Sequence, residues 1–313
     1  MTTQAILLIA PVPDALMDRL ASGWTVHRLY EQQDPQAFLA QSGDSIQAVV
    51  TRGDIGVRNE VLQQLPQVKL IAVFGVGTDA IDLNTTRARK IAVTITSGVL
   101  TNDVADMAMG LLLAASRRLC QGDRFVREGQ WLNNAPPLGT QVSGKRIGIV
   151  GMGNIGQAIA RRASGFDMPV SYTSRSRRES LPYSWCDDVQ SLAKSCDFLV
   201  IAASGGESTK GLVDSSVLQA MPKHAWLINI ARGSLVDQPA LIQALRKGEI
   251  AGAALDVFEQ EPQVPEELIA LNNVLLQPHV GSATHETRQQ MADVVFANVE
   301  AFFNQKPLPT AID

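Results

Sequence analysis

The sequence predicts an α/β fold of two doubly wound domains, on three observations. Short β-branched runs bounded by Gly, Pro or Asp alternate with amphipathic stretches from end to end, the pattern of parallel sheets covered by helices. The 313 residues suffice for two domains of ordinary size. A glycine-rich strand-loop-helix signature lies near the middle of the chain, where a second sheet begins.

In the first half, strands are predicted near residues 5–10, 47–51, 69–73 and 91–95, with helices over 13–21 and 57–65 between them; His27 also falls on a strand. Residues 104–119 are apolar around most of the helical circumference, which predicts a helix buried on several sides, and Thr101, Asn102 and Asp103 supply its start signal. Residues 133–144 carry Pro136, Pro137, Gly139 and Gly144 without periodicity and read as an exposed arm. Six strands follow near 146–150, 170–174, 198–202, 225–230, 251–257 and 274–277, and a long helix over 286–304. This second series suits a Rossmann-type dinucleotide-binding sheet.

Composition narrows the function classes. Hydrophobic residues make up 45% and charged residues 19%, ordinary for a folded globular chain. Lys and Arg number 27 against 31 Asp and Glu, a net charge of -4, with no basic block, so nucleic acid is not the expected partner. No apolar run approaches the ~18 residues of a membrane span. Residues 1–10 carry no Lys or Arg before their apolar core and run into Pro11 and Pro13, so they read as a strand and not as a signal peptide. Cys120, Cys186 and Cys196 are an odd set without metal-ligand spacing, which predicts a cytoplasmic, reducing compartment and no metal.

The strongest local signal is KRIGIVGMGNIG, residues 145–156, where Gly151, Gly153 and Gly156 stand in G-x-G-x-x-G spacing between a strand and a helix. The first glycine permits the turn, the second lets backbone approach a pyrophosphate, and the third lets helix and strand pack closely. Asn154 and Ile155 open the helix whose free N–H groups then meet the phosphates. FGVGTDA, with Gly75, Gly77 and Ala80, satisfies a relaxed form of the pattern. The end of the next strand separates the two. After Gly151 it carries Ser174, Arg175 and Ser176, whereas after Gly75 it carries Thr96, Ser97 and Gly98. An arginine at the ribose position suits a 2′-phosphate by charge and by its planar donor fork, so NADP is expected as cofactor, with NAD possible as a second choice. The FGVGTDA loop is left to hold a small anion on its backbone amides.

Ligands of open parallel sheets sit beyond the carboxyl ends of the strands. Three late strands each deliver one ionisable residue there: Arg232 after AWLINI, Glu261 after AALDVF and His279 after NVLLQ. Arginine orients a carboxylate or polarises a carbonyl, histidine gives a proton to a developing alkoxide, and a carboxylate fixes the imidazole tautomer. Singly, each is equally a surface or turn residue; together on one edge they predict reduction of a 2-oxo acid. His27, His224 and His285 lie away from this edge or at a helix start. Arg52 follows the first domain's strand ending at Thr51 and is expected to add a substrate contact.

The stretches VGMGNIG, NIARGSLVD, ALDVFEQEP and QPHVGSAT, in that order, resemble the D-isomer-specific 2-hydroxyacid dehydrogenases over nearly the whole chain. The resemblance implies that Arg232, Glu261 and His279 are catalytic, with Arg232 and His279 on the substrate. It implies that Asp256 holds the nicotinamide carboxamide, that Thr101, Ala231 and Gly281 belong to the cofactor site, and that Val76 and Gly77 bind the substrate carboxylate. It also implies a smaller, flavodoxin-like substrate domain over 1–99 and 286–313, a dinucleotide-binding domain over 100–285, and a homodimer. The SRSRR stretch resembles the NADPH-preferring glyoxylate and hydroxypyruvate reductases of the family. A 2-ketogluconate reductase of the same family is the alternative, and a dinucleotide-sensing binding protein is the rival from another class. One departure from the family pattern is Ala203-Ser204-Gly205-Gly206, where many relatives carry Cys-Pro or His-x-Pro.

Overall fold

The computed structural model describes residues 4–312. By internal contacts the chain divides after Leu100 and after Ser282: one compact unit takes the first hundred residues and those from Ala283 onward, and the other takes Thr101–Ser282.

The first unit is built on β1 (Ala5–Leu8), β2 (Thr25–Arg28), β3 (Ile46–Arg52), β4 (Leu70–Phe74) and β5 (Ala92–Thr94). They pair in parallel in the order β5-β4-β3-β1-β2, so the strand order reverses beside β1. The residues of β1 and β4 are buried throughout, as expected for strands covered on both faces. The core on one side of this sheet joins Leu7, Val49 and Ile71 to Val61, Leu62 and Leu65.

The second unit carries β6 (Ile147–Val150), β7 (Val170–Thr173), β8 (Ser184–Trp185), β9 (Phe198–Ile201), β10 (Trp226–Asn229), β11 (Gly252–Leu255) and β12 (Val274–Leu276). All pair in parallel in the order β12-β11-β10-β9-β6-β7-β8. The crossover direction therefore reverses between β6 and β9, the switch point at which open α/β sheets take ligands. Two helices of this unit, Thr101–Ser116 and Asn154–Ser164, pack on each other. Back in the first unit, β13 (Ala311–Ile312) adds an antiparallel edge to β5, and the helix His285–Phe303 packs on β4 and on the helix Asp14–Gly23.

The differences from expectation have local causes. β8 and β13 are two residues long and partly exposed, too short to show a period, and only pairing with a neighbour makes them strands. The helix expected over 104–119 runs over Thr101–Ser116 instead. Ser116 Oγ donates back to the Leu112 carbonyl at 2.7 Å, and Arg118 takes a left-handed conformation, φ 55°, from which a separate helix Leu119–Arg127 starts. No described helix is long and apolar enough to cross a membrane.

At the amino edge of the second sheet Asp197, 6% exposed, gathers Arg146 and His224. It accepts from Arg146 N at 2.8 Å, Nε at 3.2 Å and Nη2 at 2.9 Å, and lies 2.7 Å from His224 Nε2. The Arg146 hydrogen bonds are the largest influence holding this carboxyl far below its ordinary value of 3.8. A depressed native pKa gives stability that is complete above the unfolded value and lost as pH falls toward the native one. Asp197→Asn is therefore expected to cost about 2 kcal/mol at pH 7 in urea unfolding, and the gap to the wild type should shrink as pH falls below about 4.

Candidate active site

The carboxyl edge of the second sheet is assembled by register. Asn229 is paired with Leu255, and Leu255 with Leu276, so the loops after β10, β11 and β12 leave the sheet side by side. A β-carbon on Gly233 would lie 1.9 Å from the Phe258 carbonyl carbon. No other residue lets the Arg232 loop and the Glu261 loop approach this closely.

The three expected residues occupy this edge, and His279 meets Glu261 there. His279 Nδ1 lies 2.6 Å from Glu261 Oε2, while Glu261 Oε1 accepts from Phe258 N at 3.0 Å. The carboxylate is thus anchored to its own loop and offers its other oxygen to the imidazole. Nε2 is left as the outward nitrogen of a ring whose side chain is 34% exposed. His279 has φ 54°, in the left-handed region that is uncommon away from glycine.

Asp256 holds that conformation. Its carboxylate is 1% exposed and accepts from Val280 N and Gly281 N, both at 2.8 Å. Burial pushes its pKa up, against those two amides, which pull it down. Asn229 does the same for Arg232: its Nδ2 donates to the Arg232 carbonyl at 2.9 Å, and its Oδ1 accepts from Ala231 N at 3.0 Å. Arg232 is half-buried and its Nη1 donates to the Ala231 carbonyl at 2.8 Å. The bracing by Asn229 and by Asp256 escaped the sequence reading. The signal for each is a buried polar residue at or just past the end of an apolar strand.

The glycine loop lies at the switch point of the same sheet. Gly151 has φ 97°, a β-carbon on it would lie 2.6 Å from the Ala203 backbone, and one on Gly156 would lie 2.0 Å from the Gly151 carbonyl oxygen. Beside Gly153 nothing stands within 4 Å of where a β-carbon would be. Gly153 is the cap of the helix Asn154–Ser164 and supplies no side-chain acceptor, so the amides of Gly153, Asn154 and Ile155 keep their donors for an outside anion. Backbone that is open here, with no chain atom filling the space, fits a pyrophosphate. At the end of β7, Ser174 Oγ donates to the Ser176 carbonyl at 2.8 Å, and the Tyr172 hydroxyl both accepts from Arg178 N at 2.8 Å and meets its carbonyl at 3.3 Å. The turn is thereby fixed. Arg177 pairs with Glu179 at 3.2 Å. Arg175 is exposed and has no ion pair or hydrogen bond among the described residues, a guanidinium available to a phosphate. Thr101 is the first residue of its helix and half-buried.

The other expected residues belong to the first unit. Val76 and Gly77 follow β4 in a loop tied to its neighbours by Thr96 N donating to the Gly75 carbonyl at 2.8 Å, and Val76 is 36% exposed. Arg52 ends β3 and forks onto Asp54, with Nε–Oδ1 at 3.0 Å and Nη2–Oδ2 at 2.6 Å. Much of its charge is therefore balanced within the loop.

Known proteins resemble this chain over its full length. The family model described as D-isomer specific 2-hydroxyacid dehydrogenase, NAD binding domain, matches residues 109–281. Glyoxylate/hydroxypyruvate reductase A of Arabidopsis thaliana is 44% identical over 312 residues, all of both chains. Hydroxyphenylpyruvate reductase of Plectranthus scutellarioides is 43% identical over 98% of each. Among solved structures, an NADPH-dependent glyoxylate/hydroxypyruvate reductase from Sinorhizobium meliloti, in complex with NADP and malonate, superposes with a TM-score of 0.94 at 37% identity, covering 99% of this chain and 97% of the other. With its glycine loop, its Arg232, its Glu261–His279 pair and these likenesses over full length, the chain belongs to the D-isomer-specific 2-hydroxyacid dehydrogenase family.

Proposed function

We propose that this protein reduces a short 2-oxo acid, glyoxylate or hydroxypyruvate, to the D-2-hydroxy acid with NADPH. The observation that carries the reading is the 2.6 Å contact of His279 Nδ1 with Glu261, on the same sheet edge as Arg232 and the glycine loop. The names of the relatives supply the substrate class. In this reading Thr101–Ser282 is the dinucleotide-binding unit and the remainder is the substrate domain.

The chemistry divides simply among the side chains. The dinucleotide, when bound, supplies a hydride to the carbonyl carbon. Arg232 binds the substrate carboxylate and draws charge toward the carbonyl oxygen. His279 gives its Nε2 proton to that oxygen as negative charge develops, and Glu261 keeps the ring oriented and stabilises the charged imidazole before the transfer. Val76 and Gly77 offer backbone amides to the carboxylate, and Arg52 adds a second cationic contact. Gly151, Gly153, Asn154, Ile155 and Gly156 hold the pyrophosphate, Ser174, Arg175 and Ser176 the adenosine ribose and its phosphate, and Thr101, Ala231, Asp256 and Gly281 the nicotinamide end.

Two further assignments belong to this reading. Leu119, Val126, Trp131, Leu132 and Leu138 are 57%, 55%, 67%, 87% and 93% exposed, and the helix Leu119–Arg127 buries none of its residues within the chain. Exposed apolar side chains recurring within one stretch of chain favour a subunit interface, which supports a homodimer. The three cysteines are free, in keeping with a cytoplasmic enzyme.

His279→Gln should retain NADPH binding, read by fluorescence titration, and lose about 10²–10⁴-fold in kcat; comparable turnover would assign the proton to another group. Arg175→Ala should raise the KM for NADPH by about tenfold, the equivalent of one charge-assisted hydrogen bond, while the KM for NADH changes by less than about twofold. An unchanged NADPH value would remove Arg175 from the phosphate site.

A further inference from the structure

Arg288 sits in the fourth position of the helix His285–Phe303, in the first unit. Three features of its setting disfavour a cation there. The amino-terminal turn of a helix repels positive charge. The guanidinium is half-buried. Arg52 is close enough that its charge, after burial, holds the Arg288 pKa below the ordinary arginine value, with only Asp54 acting the other way.

Beyond that distant carboxylate, no described residue offers it an oxygen acceptor. The contacts of the Arg288 side chain are the Met291 sulfur, 4.0 Å from Nη1, and the Phe74 ring, whose centroid is 5.7 Å from Cζ. No carboxylate or carbonyl oxygen of a described residue accepts from it. A desolvated guanidinium lacking an oxygen acceptor is costly, and five donors in a planar fork suit oxygen-rich groups better than a thioether and a ring.

The neighbours indicate what would fill that need. Phe74 is the last residue of β4, directly before the Gly75-Val76-Gly77 loop, and its Cα partner across the sheet is Arg52. The guanidinium therefore stands over the root of the two loops already assigned to the substrate, next to a second arginine whose fork is occupied by Asp54. A space of about 290 Å³ lined by Pro13, Thr284, His285, Arg288 and Gln289 adjoins it.

We propose that Arg288 is a specificity residue, its guanidinium taking the oxygen function on C3 of the 2-oxo acid, a hydroxyl or a carboxylate, and so favouring substrates that carry one. This rests on the 2-oxo acid reductase reading above and names the part of the substrate that the first unit recognises. Glyoxylate, which has no C3, makes no such contact, whereas hydroxypyruvate does. The C3 carboxylate of a 2-hydroxydicarboxylate makes it with full charge.

The test compares wild type with Arg288→Met, which keeps a long side chain on Phe74, and Arg288→Lys, which keeps the charge without the fork. Thermal melting first establishes that each variant is folded. With NADPH, the ratio of kcat/KM for hydroxypyruvate to that for glyoxylate should fall about tenfold in Arg288→Met, through KM, and less in Arg288→Lys. In calorimetry on the NADP⁺-loaded protein, wild type should bind tartronate more tightly than glycolate, and Arg288→Met should lose about tenfold of that preference. Activities toward both substrates falling together, or neither changing, would assign Arg288 to bracing the helix against Phe74 and overturn the proposal. Absence of turnover with every 2-oxo acid in wild type would instead overturn the reductase reading. The tartronate-to-glycolate comparison would still decide for or against Arg288.

Discussion

The two hydrogen bonds from the Val280 and Gly281 amides to the buried Asp256 carboxylate are the constraint on which the rest of the site depends. A histidine at φ 54° on a loop will not hold that conformation unaided. Asp256 leaves β11 one residue after Leu255 and captures the loop that follows β12, its neighbour in the sheet. His279 is thus presented to Glu261, which comes from the loop of Asp256's own strand. A β-carbon on Gly281 would lie 2.9 Å from Asp256 Oδ2, so any larger residue there would displace the carboxylate. Burial pushes the Asp256 pKa up, and the two amides are what keep a carboxylate tolerable in that place.

The same economy of means recurs next door. Asn229, also 1% exposed, uses donor and acceptor of one side-chain amide to shape the Ala231–Arg232 turn. Gly233 lets that turn lie against Phe258. Three loops from three consecutive strands are thereby locked to each other and to the sheet by two buried polar side chains and two glycines. Such support is what general acid catalysis requires, since the acid and its orienting carboxylate must already be aligned when charge develops.

Much of this was legible in the chain because parallel strands covered on both faces are continuous apolar runs, and IGIV, FLVI and WLIN need no partner to be recognised. The ionisable residues Arg232, Glu261 and His279 stood out because each follows such a run. Elements that owe their existence to pairing, such as Ser184–Trp185 and Ala311–Ile312, leave no periodic trace. The break before the helix Leu119–Arg127 leaves no mark in the sequence because it rests on a serine bonding back to the preceding helix and one left-handed arginine, with no glycine or proline to signal it. Arg288 was invisible for a different reason. A helical arginine reads as solvated until the fold shows that it lies over Phe74 with no oxygen acceptor among the described residues.

The central claim, that this carboxyl edge reduces a short 2-oxo acid with NADPH, is tested most directly by initial rates of NADPH oxidation. Hydroxypyruvate, glyoxylate, 2-ketogluconate and hydroxyphenylpyruvate should be run side by side, each repeated with NADH. The account predicts fastest turnover with hydroxypyruvate or glyoxylate and a higher kcat/KM for NADPH than for NADH. Tight NADPH binding with no oxidation above the substrate-free rate for any of the four would contradict it.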